Sequence, residues 1–290
     1  KENRTLYAIK NDGGNRIYTL NIDDFSFNSI DVQGVGANED SYQYVYNHTN
    51  HTIQYWRFGP DDVFEASLVD GSSTQISSGS HSTSHYGARA VLNMHTAAPA
   101  TLFGYGWFAV RNSMEQVNGS GWTSTFPNSS NQPYKRLPVT ILPNKDFTKA
   151  YIIDGYGNAS GSQTQSSCSI DGGMGWASDV GVWCWLRDVW EIDLSDWTMT
   201  NILPLNSNFG VTGKFGYDYD TNTFYSFGGF IPSPIYGQEP VRENTLRVFK
   251  PGVHNDWTIV EQSGDIPPAD ATFTSYYDSY MKKFIMVGSD

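Results

Sequence analysis

Apolar and polar positions alternate along this chain in short runs, and no window keeps apolar residues at i, i+3, i+4 and i+7 without Gly or Pro intervening. Strands are predicted, and helices are not. The runs LYAIK (6–10), IYTLNI (17–22), YQYVY (42–46), IQYWRFG (53–59), AYIIDGYG (150–157), VWEIDL (189–194), TFYSFGG (223–229) and KFIMVG (283–288) are rich in β-branched and aromatic side chains, which suit a pleated, half-buried surface. Gly, Asn, Asp and Ser bound them. The fold class read from this pattern is all-β.

The runs also repeat. RIYTLNIDDFSFNSI (16–30) matches DVWEIDLSDWTMTNI (188–202) without a gap, each reading strand, acidic turn, aromatic residue, strand. A looser copy is TLRVFKPGVHNDWTIV (245–260), where Asp256-Trp257-Thr258 repeats the placement of Asp196-Trp197-Thr198. The 172-residue offset between Arg16 and Asp188 divides into three units of about 57 residues, a length that suits four strands. With the strands of a unit lettered a to d, six b-like strands ending in Gly stand at 6–14, 53–59, 101–106, 150–157, 223–229 and 283–288. Five follow an a-like strand and five precede a c and d pair. Tyr217 to Thr223 reads as an a-to-b hairpin, because Asp and Asn tolerate the backbone of a tight turn. The strand count predicts a single domain over 1–290 with incomplete terminal units, a segment of a longer secreted chain.

The segment GDIPPADATFTSYYDSYMKKFIMVG (264–288), the Gly228-Gly229 pair closing YSFGG, and the DVWEIDL…W unit resemble the kelch repeat, as in the central domain of galactose oxidase. The resemblance is specific from about residue 134 onward, and the first half is degenerate. It implies a kelch-type β-propeller, with glycines letting neighbouring blades approach and aromatics of the c and d strands filling the space between them. Six blades fit the strand count best, with five or seven as the alternatives.

Charge narrows the partners. The chain has 30 Asp and Glu against 18 Lys and Arg, a formal charge of −12, so nothing electrostatic draws it to nucleic acid or to an anionic membrane. No apolar run approaches the length needed for membrane insertion as a helix. Six Asn-x-Ser/Thr sequons, at Asn3, Asn47, Asn50, Asn118, Asn128 and Asn158, lack Pro at the middle position and predict glycosylation and a secreted, extracellular location. Cys168 and Cys184 are the only cysteines and bracket a Gly- and Ser-rich stretch with little core of its own, so a disulfide between them is expected. Residue 1 is Lys, which fits a processed product or a piece of something longer.

Antiparallel strands put the b-to-c and d-to-a connections on one face and the short a-to-b and c-to-d turns on the other. The b-to-c segments are long, 158–187 and 230–244, and read as loops, so that face is the expected binding face. Its candidate binding residues are Tyr156, Trp176, Tyr236, Glu239 and Arg242. Trp183 and Trp185 join them, or pack over the disulfide as a small core. On the same face, HSTSHYGAR (81–89) offers His81, His85, Tyr86 and Arg89 as a proton-abstracting set with a cation to neutralise an enolate. Polar loop histidines are more often bystanders, and no catalytic set is assigned. His48 and His51 fall within the tandem sequons NHTNHT, and His254 lies in a turn.

No cofactor or metal is expected. The kelch resemblance does not carry over copper chemistry, since no Tyr-His pair occurs and Cys184 is better used by Cys168. SIDGGMGW (169–176) has the outline of a sialidase Asp-box but occurs once, inside a loop. Asp218, Asp220 and Asn222 have calcium-loop spacing but lack the Gly and the distant Glu, and ordinary hairpin chemistry explains them. The function read from these features is a non-catalytic binding or assembly module, recognising extracellular proteins or glycans. The alternative is a carbohydrate-active enzyme, a polysaccharide lyase or glycoside hydrolase.

Overall fold

The computed structural model describes residues 4–11, 15–33, 43–47, 50–56, 63–77, 89–91, 101–103, 114–118, 121–125, 133, 136, 140–157, 175–178, 181–204, 207, 209–210, 213–231, 241–269, 272–278 and 280–289. The chain divides into two compact units, residues 1–109 with 114–125, and residues 110–113 with 126–290. Every regular element among the described residues is a strand.

In the first unit, β1 (Thr5–Asn11), β2 (Asn15–Asn21) and β3 (Phe27–Asp31) form a three-stranded antiparallel meander. A four-stranded meander follows, β4 (Gln43–Asn47), β5 (Thr52–Trp56), β6 (Val63–Ser67) and β7 (Ser73–Ser77). A second comprises β8 (Arg89–Val91), β9 (Thr101–Phe103), β10 (Met114–Asn118) and β11 (Gly121–Thr125).

The second unit opens with β12 (Thr140–Pro143) and β13 (Lys149–Ile153), then β14 (Tyr156–Gly157), β15 (Gly175–Ser178) and β16 (Gly181–Trp185), then β17 (Val189–Asp193) and β18 (Met199–Leu203). Strands β12-β13-β17-β18 make one sheet, and β14-β16-β15 make a separate three-stranded sheet between its b and c strands. The next sheet is β19 (Lys214–Asp218), β20 (Thr223–Ile231), β21 (Val241–Phe249) and β22 (Thr258–Ile259), followed by the hairpin β23 (Thr272–Asp278) and β24 (Lys283–Ser289). Four sheets thus have four blade strands in a-b-c-d order, β1 to β3 supply b, c and d, and β23 to β24 supply a and b. Successive meanders of this kind are propeller blades. The fold is all-β in a propeller arrangement.

The gapless repeat of the sequence is a repeated turn. In 193–198 the Asp193 amide donates to the Thr198 carbonyl (2.9 Å), the Ser195 amide to Asp193 Oδ1 (2.9 Å) and the Thr198 amide to Asp196 Oδ1 (2.9 Å). In 21–26 the Asn21 amide donates to the Ser26 carbonyl (2.9 Å), the Asp23 amide to Asn21 Oδ1 (2.8 Å) and the Ser26 amide to Asp24 Oδ1 (2.8 Å). The left-handed residue between these bonds is Trp197 (φ 65°) or Phe25 (φ 57°). A third copy lies at 67–72, where Ser67, Asp70 and Gly71 (φ 74°) play the same parts. Sequence comparison placed the third copy at 245–260 instead. There the chain turns earlier, with the Val253 and His254 amides donating to the Lys250 carbonyl, and Trp257 is buried beside Phe249 and Phe209. The shared Asp-Trp-Thr letters therefore do different work.

The a-to-b hairpins repeat too. Asn47, Asp218 and Asp278 each end a strand, are buried, and accept a backbone N–H from two or three residues on. Four residues on, His51 (φ 52°), Asn222 (φ 53°) and Lys282 (φ 55°) are left-handed. This bears out hairpin chemistry for the Asp218–Asn222 spacing. Burial works against the charge of Asp218, but hydrogen bonds from the Thr221 hydroxyl, the Asp220 amide and the Tyr277 hydroxyl, with Lys282 nearby, hold its carboxyl below the usual range.

Each unit has its own core. Ile17, Ile53, Tyr55, Phe64, Ala66 and Leu68 cluster in the first. In the second, Tyr151 and Ile153 of b, Val189 of c and Leu203 pack on Phe215, Tyr217, Phe224, Phe249 and Trp257 of the next sheet. Burying each large side chain contributes about 1.5–3 kcal/mol.

Candidate functional site

The b-to-c end of the two complete sheets in the second unit carries the candidate site. Its floor is a buried ion pair. Arg136, with no exposure at all, donates from Nη1 to Asp188 Oδ1 (2.5 Å) and from Nη2 to Asp188 Oδ2 (2.9 Å). Nη1 also donates to the Asp154 carbonyl (3.2 Å), and Trp190 Nε1 donates to Asp188 Oδ2 (2.6 Å). One guanidinium thereby ties the segment before strand a to the end of b and the start of c. Asp154 takes φ 71° at the end of b, and the Leu186 amide donates to the Gly155 carbonyl (2.8 Å), closing the neck below the inserted sheet. Asp188 accepts three hydrogen bonds from Arg136 and Trp190, and removing one partner of such a buried pair is costly because it strands a charge without water.

The adjoining sheet has its own pair. Arg247, 4% exposed, makes a two-bond contact with Glu243, its Nη2 donating to Oε2 at 2.8 Å. Gly228 (φ 64°) and Gly229 (φ 97°) form a bulge in β20 opposite this strand, a backbone that residues with a Cβ rarely adopt. Arg187, two residues before β17, stands half-buried, and burial, then the charge of Arg247, push its pKa down against the pull of Asp256.

Above this floor the inserted three-stranded sheet meets β20 and β21 in a stack. Trp185, at the end of β16, lies face to face with Phe230 of β20 at 6.2 Å and 27°. The Arg242 guanidinium lies over the same Phe230 ring at 5.2 Å. Cation, ring and ring form one platform, and Arg242 is exposed.

The sequence-predicted residues distribute as follows. The 158–187 connection is not a structureless loop, since β15 and β16 form a hairpin within it. Register places Tyr156 opposite Trp185, Trp176 opposite Trp183, and Cys184 between Gly157 and Gly175. Tyr156, Trp176, Trp183 and Trp185 therefore share one small sheet. The 230–244 connection is shorter than expected, because β20 runs to Ile231 and β21 starts at Val241, which makes Phe230 and Arg242 strand residues. Tyr236, Glu239 and Cys168 lie outside the described residues, as do His81, His85 and Tyr86, and Arg89 is placed only as the first residue of β8. Asn50 is exposed, whereas Asn47 is buried and accepts the Asn50 amide (3.3 Å). Asn118 ends β10, and Asn3, Asn128 and Asn158 lie outside the described residues. Phe230, Arg136, Asp188, Arg247 and Glu243 were missed as site residues. Arg242 twelve positions after Phe230 gave no local signal, because a hairpin brings them opposite one another.

Among the described residues, no three His, Cys, Asp or Glu side chains are grouped to hold a metal ion. The arrangement is one for contact: a rigid charged floor under an aromatic and cationic surface.

No protein-family model and no curated protein sequence matches the chain. Solved structures do. The structure of YjhT superposes with a TM-score of 0.62 over 100% of this chain and 88% of that one, at 14% identity. A chain of the nidogen/laminin complex gives 0.55 over 98% and 84%, at 10% identity. The Niastella koreensis GH74 enzyme gives 0.50 over 88% of this chain and 36% of that one, at 14% identity. At these identities the likeness shows a shared fold, the β-propeller.

Proposed function

We propose that this chain is an extracellular binding or assembly module that uses the b-to-c end of its second unit. The observation that carries the reading is the Trp185–Phe230–Arg242 stack, in which three strands of two sheets present ring faces and a guanidinium together. Trp and Arg are the side chains most often found at the energetic centre of recognition surfaces. The buried Arg136–Asp188 and Arg247–Glu243 pairs hold the base of that surface still, so little ordering accompanies binding. The six sequons and the expected Cys168–Cys184 disulfide support an extracellular setting. The a-to-d strand order, with glycines at the Gly228-Gly229 bulge, supports the kelch-type reading and six blades.

Protein partners lead and glycans follow. The likeness to a chain of the nidogen/laminin complex accords with this, since that structure is itself an assembly of proteins. The likeness to a GH74 enzyme keeps the carbohydrate-active alternative in view, because one fold hosts many functions. In that alternative His81, His85, Tyr86 and Arg89 would carry the chemistry.

The test is to probe a panel of extracellular matrix proteins and a glycan array with wild type, Trp185→Ala, Arg242→Ala and His85→Ala. A binder retained by His85→Ala, lost by the other two and chemically unchanged after incubation supports the module. Cleavage or elimination products that vanish in His85→Ala would establish the enzyme instead.

A further inference from the structure

Three arginines stand near the b-to-c end of the second unit, and two of them are satisfied in the same way. Arg136 meets both oxygens of Asp188, and Arg247 meets both oxygens of Glu243. Each buried guanidinium takes one carboxylate through two bonds, the match that its planar fork makes best. Arg187 is the third. It is half-buried, yet among the described residues it makes no hydrogen bond or ion pair, and its Nε is sealed from solvent without an acceptor.

Strand alternation explains where this side chain lies. Val189 and Phe249, on the c strands β17 and β21, are buried in one cluster between their sheets. Arg187 and Arg247 stand two positions before them, so alternation carries both into the same layer, one step nearer the b-to-c end. Ser226 pairs with Arg247 across β20 and β21 and is fully buried. In this layer Arg187 Nε, Arg247 Nε and Ser226 Oγ have no hydrogen-bond partner. All three can donate, so what the layer lacks is an acceptor. Nearby charges do not supply one. Burial lowers the pKa of Arg187, the charge of Asp256 opposes this, and the charge of Arg247 adds to it. Asp256 makes no ion pair with Arg187 and accepts the Trp257 amide (2.7 Å), while Glu243 is engaged with Arg247.

We propose that Arg187 is the receiving group of a carboxylate-binding site, its terminal nitrogens taking both oxygens of a ligand's carboxylate as Arg136 takes those of Asp188. The terminal nitrogens are the part that solvent reaches, since Nε alone is sealed. A guanidinium drawn partly out of water without a partner carries a desolvation cost, and an incoming carboxylate offsets it. Asp256 competes with that guest from a distance, which limits affinity without filling the site. The site stands on Arg187 and not on Trp185, so it can fail while the aromatic platform holds.

The test follows arginine Nε–H and backbone amide signals of the full chain by NMR as sodium acetate replaces sodium chloride at constant ionic strength. Arg187 and the amides of 186–189 are expected to shift saturably, whereas the Arg136 signal, closed around Asp188, stays in place and reports an intact fold. Arg187→Gln should lose the saturable response at those amides. Arg187→Lys, which keeps the charge but not the fork, should weaken it. Asp256→Asn removes the competing charge and is expected to tighten the midpoint about twofold to fivefold. Trp185→Ala should bind acetate as the wild type does while losing the larger binder, which separates failure of this site from failure of the platform. A response that does not saturate, that moves Arg136 equally or that survives Arg187→Gln would overturn the proposal. So would an Asp256→Asn variant that binds acetate no more tightly.

Discussion

The two b-to-c ends of the second unit solve the same problem differently. Between β13 and β17 the chain inserts a three-stranded sheet, and Arg136 reaches Asp188, 52 residues away, to hold its neck. Between β20 and β21 the blade strands themselves lengthen, kinked at Gly228-Gly229, and the supporting pair Arg247–Glu243 is four residues apart on one strand. The long-range pair joins three chain segments, whereas the local one stiffens a single strand. An inserted sheet needs a neck fixed from outside it, and an extended hairpin does not.

That contrast predicts unequal losses. Arg136→Met leaves Asp188 buried and charged, and is expected to cost about 3–5 kcal/mol of stability in urea unfolding. Arg247→Met leaves Glu243, whose side chain is 13% exposed, and should cost less, about 1–3 kcal/mol. Equal costs would erase the distinction between neck and strand. The platform above is predicted to behave oppositely: Arg242→Ala should stay within about 0.5 kcal/mol of wild type in stability while weakening ligand binding by about tenfold or more.

The turn end provides a control away from both. The depressed Asp218 carboxyl adds stability above its unfolded pKa of about 3.9, and that contribution disappears as pH falls through its lower folded value. The stability gap between wild type and Asp218→Asn should therefore shrink on acidification below about pH 4, as urea midpoints across pH would report. Insensitivity of both b-to-c pairs to Asp218→Asn would show that the two ends act independently. The smallest effect concerns the tandem sequons. Asn47 serves its turn as Asp218 and Asp278 serve theirs, so peptide mapping after expression in a secretory host should find glycan on Asn50 and Asn47 bare.

Much of the fold was legible because blades are local. Alternation marked the strands, and the 16–30 and 188–202 match marked a turn whose characteristic side-chain and backbone hydrogen bonds are made between its own residues. The copy at 67–72 escaped because Gly71 supplies the left-handed backbone that Phe25 and Trp197 supply elsewhere, leaving no aromatic to align. The site was legible only in part. Trp185 and Arg242 were visible as an aromatic and a charge in long connections, but Phe230, which joins them, reads as one more strand residue. Arg136 and Asp188 could not be paired from sequence, since only the packing of three segments brings them together.

The most direct measurement is a titration of a binder selected on the wild-type chain against Trp185→Ala, Arg242→Ala and the double variant. Because both side chains lie against Phe230, the account predicts that each single variant binds at least about tenfold more weakly and that the double variant loses less than the sum. Wild-type affinity in all three would contradict it.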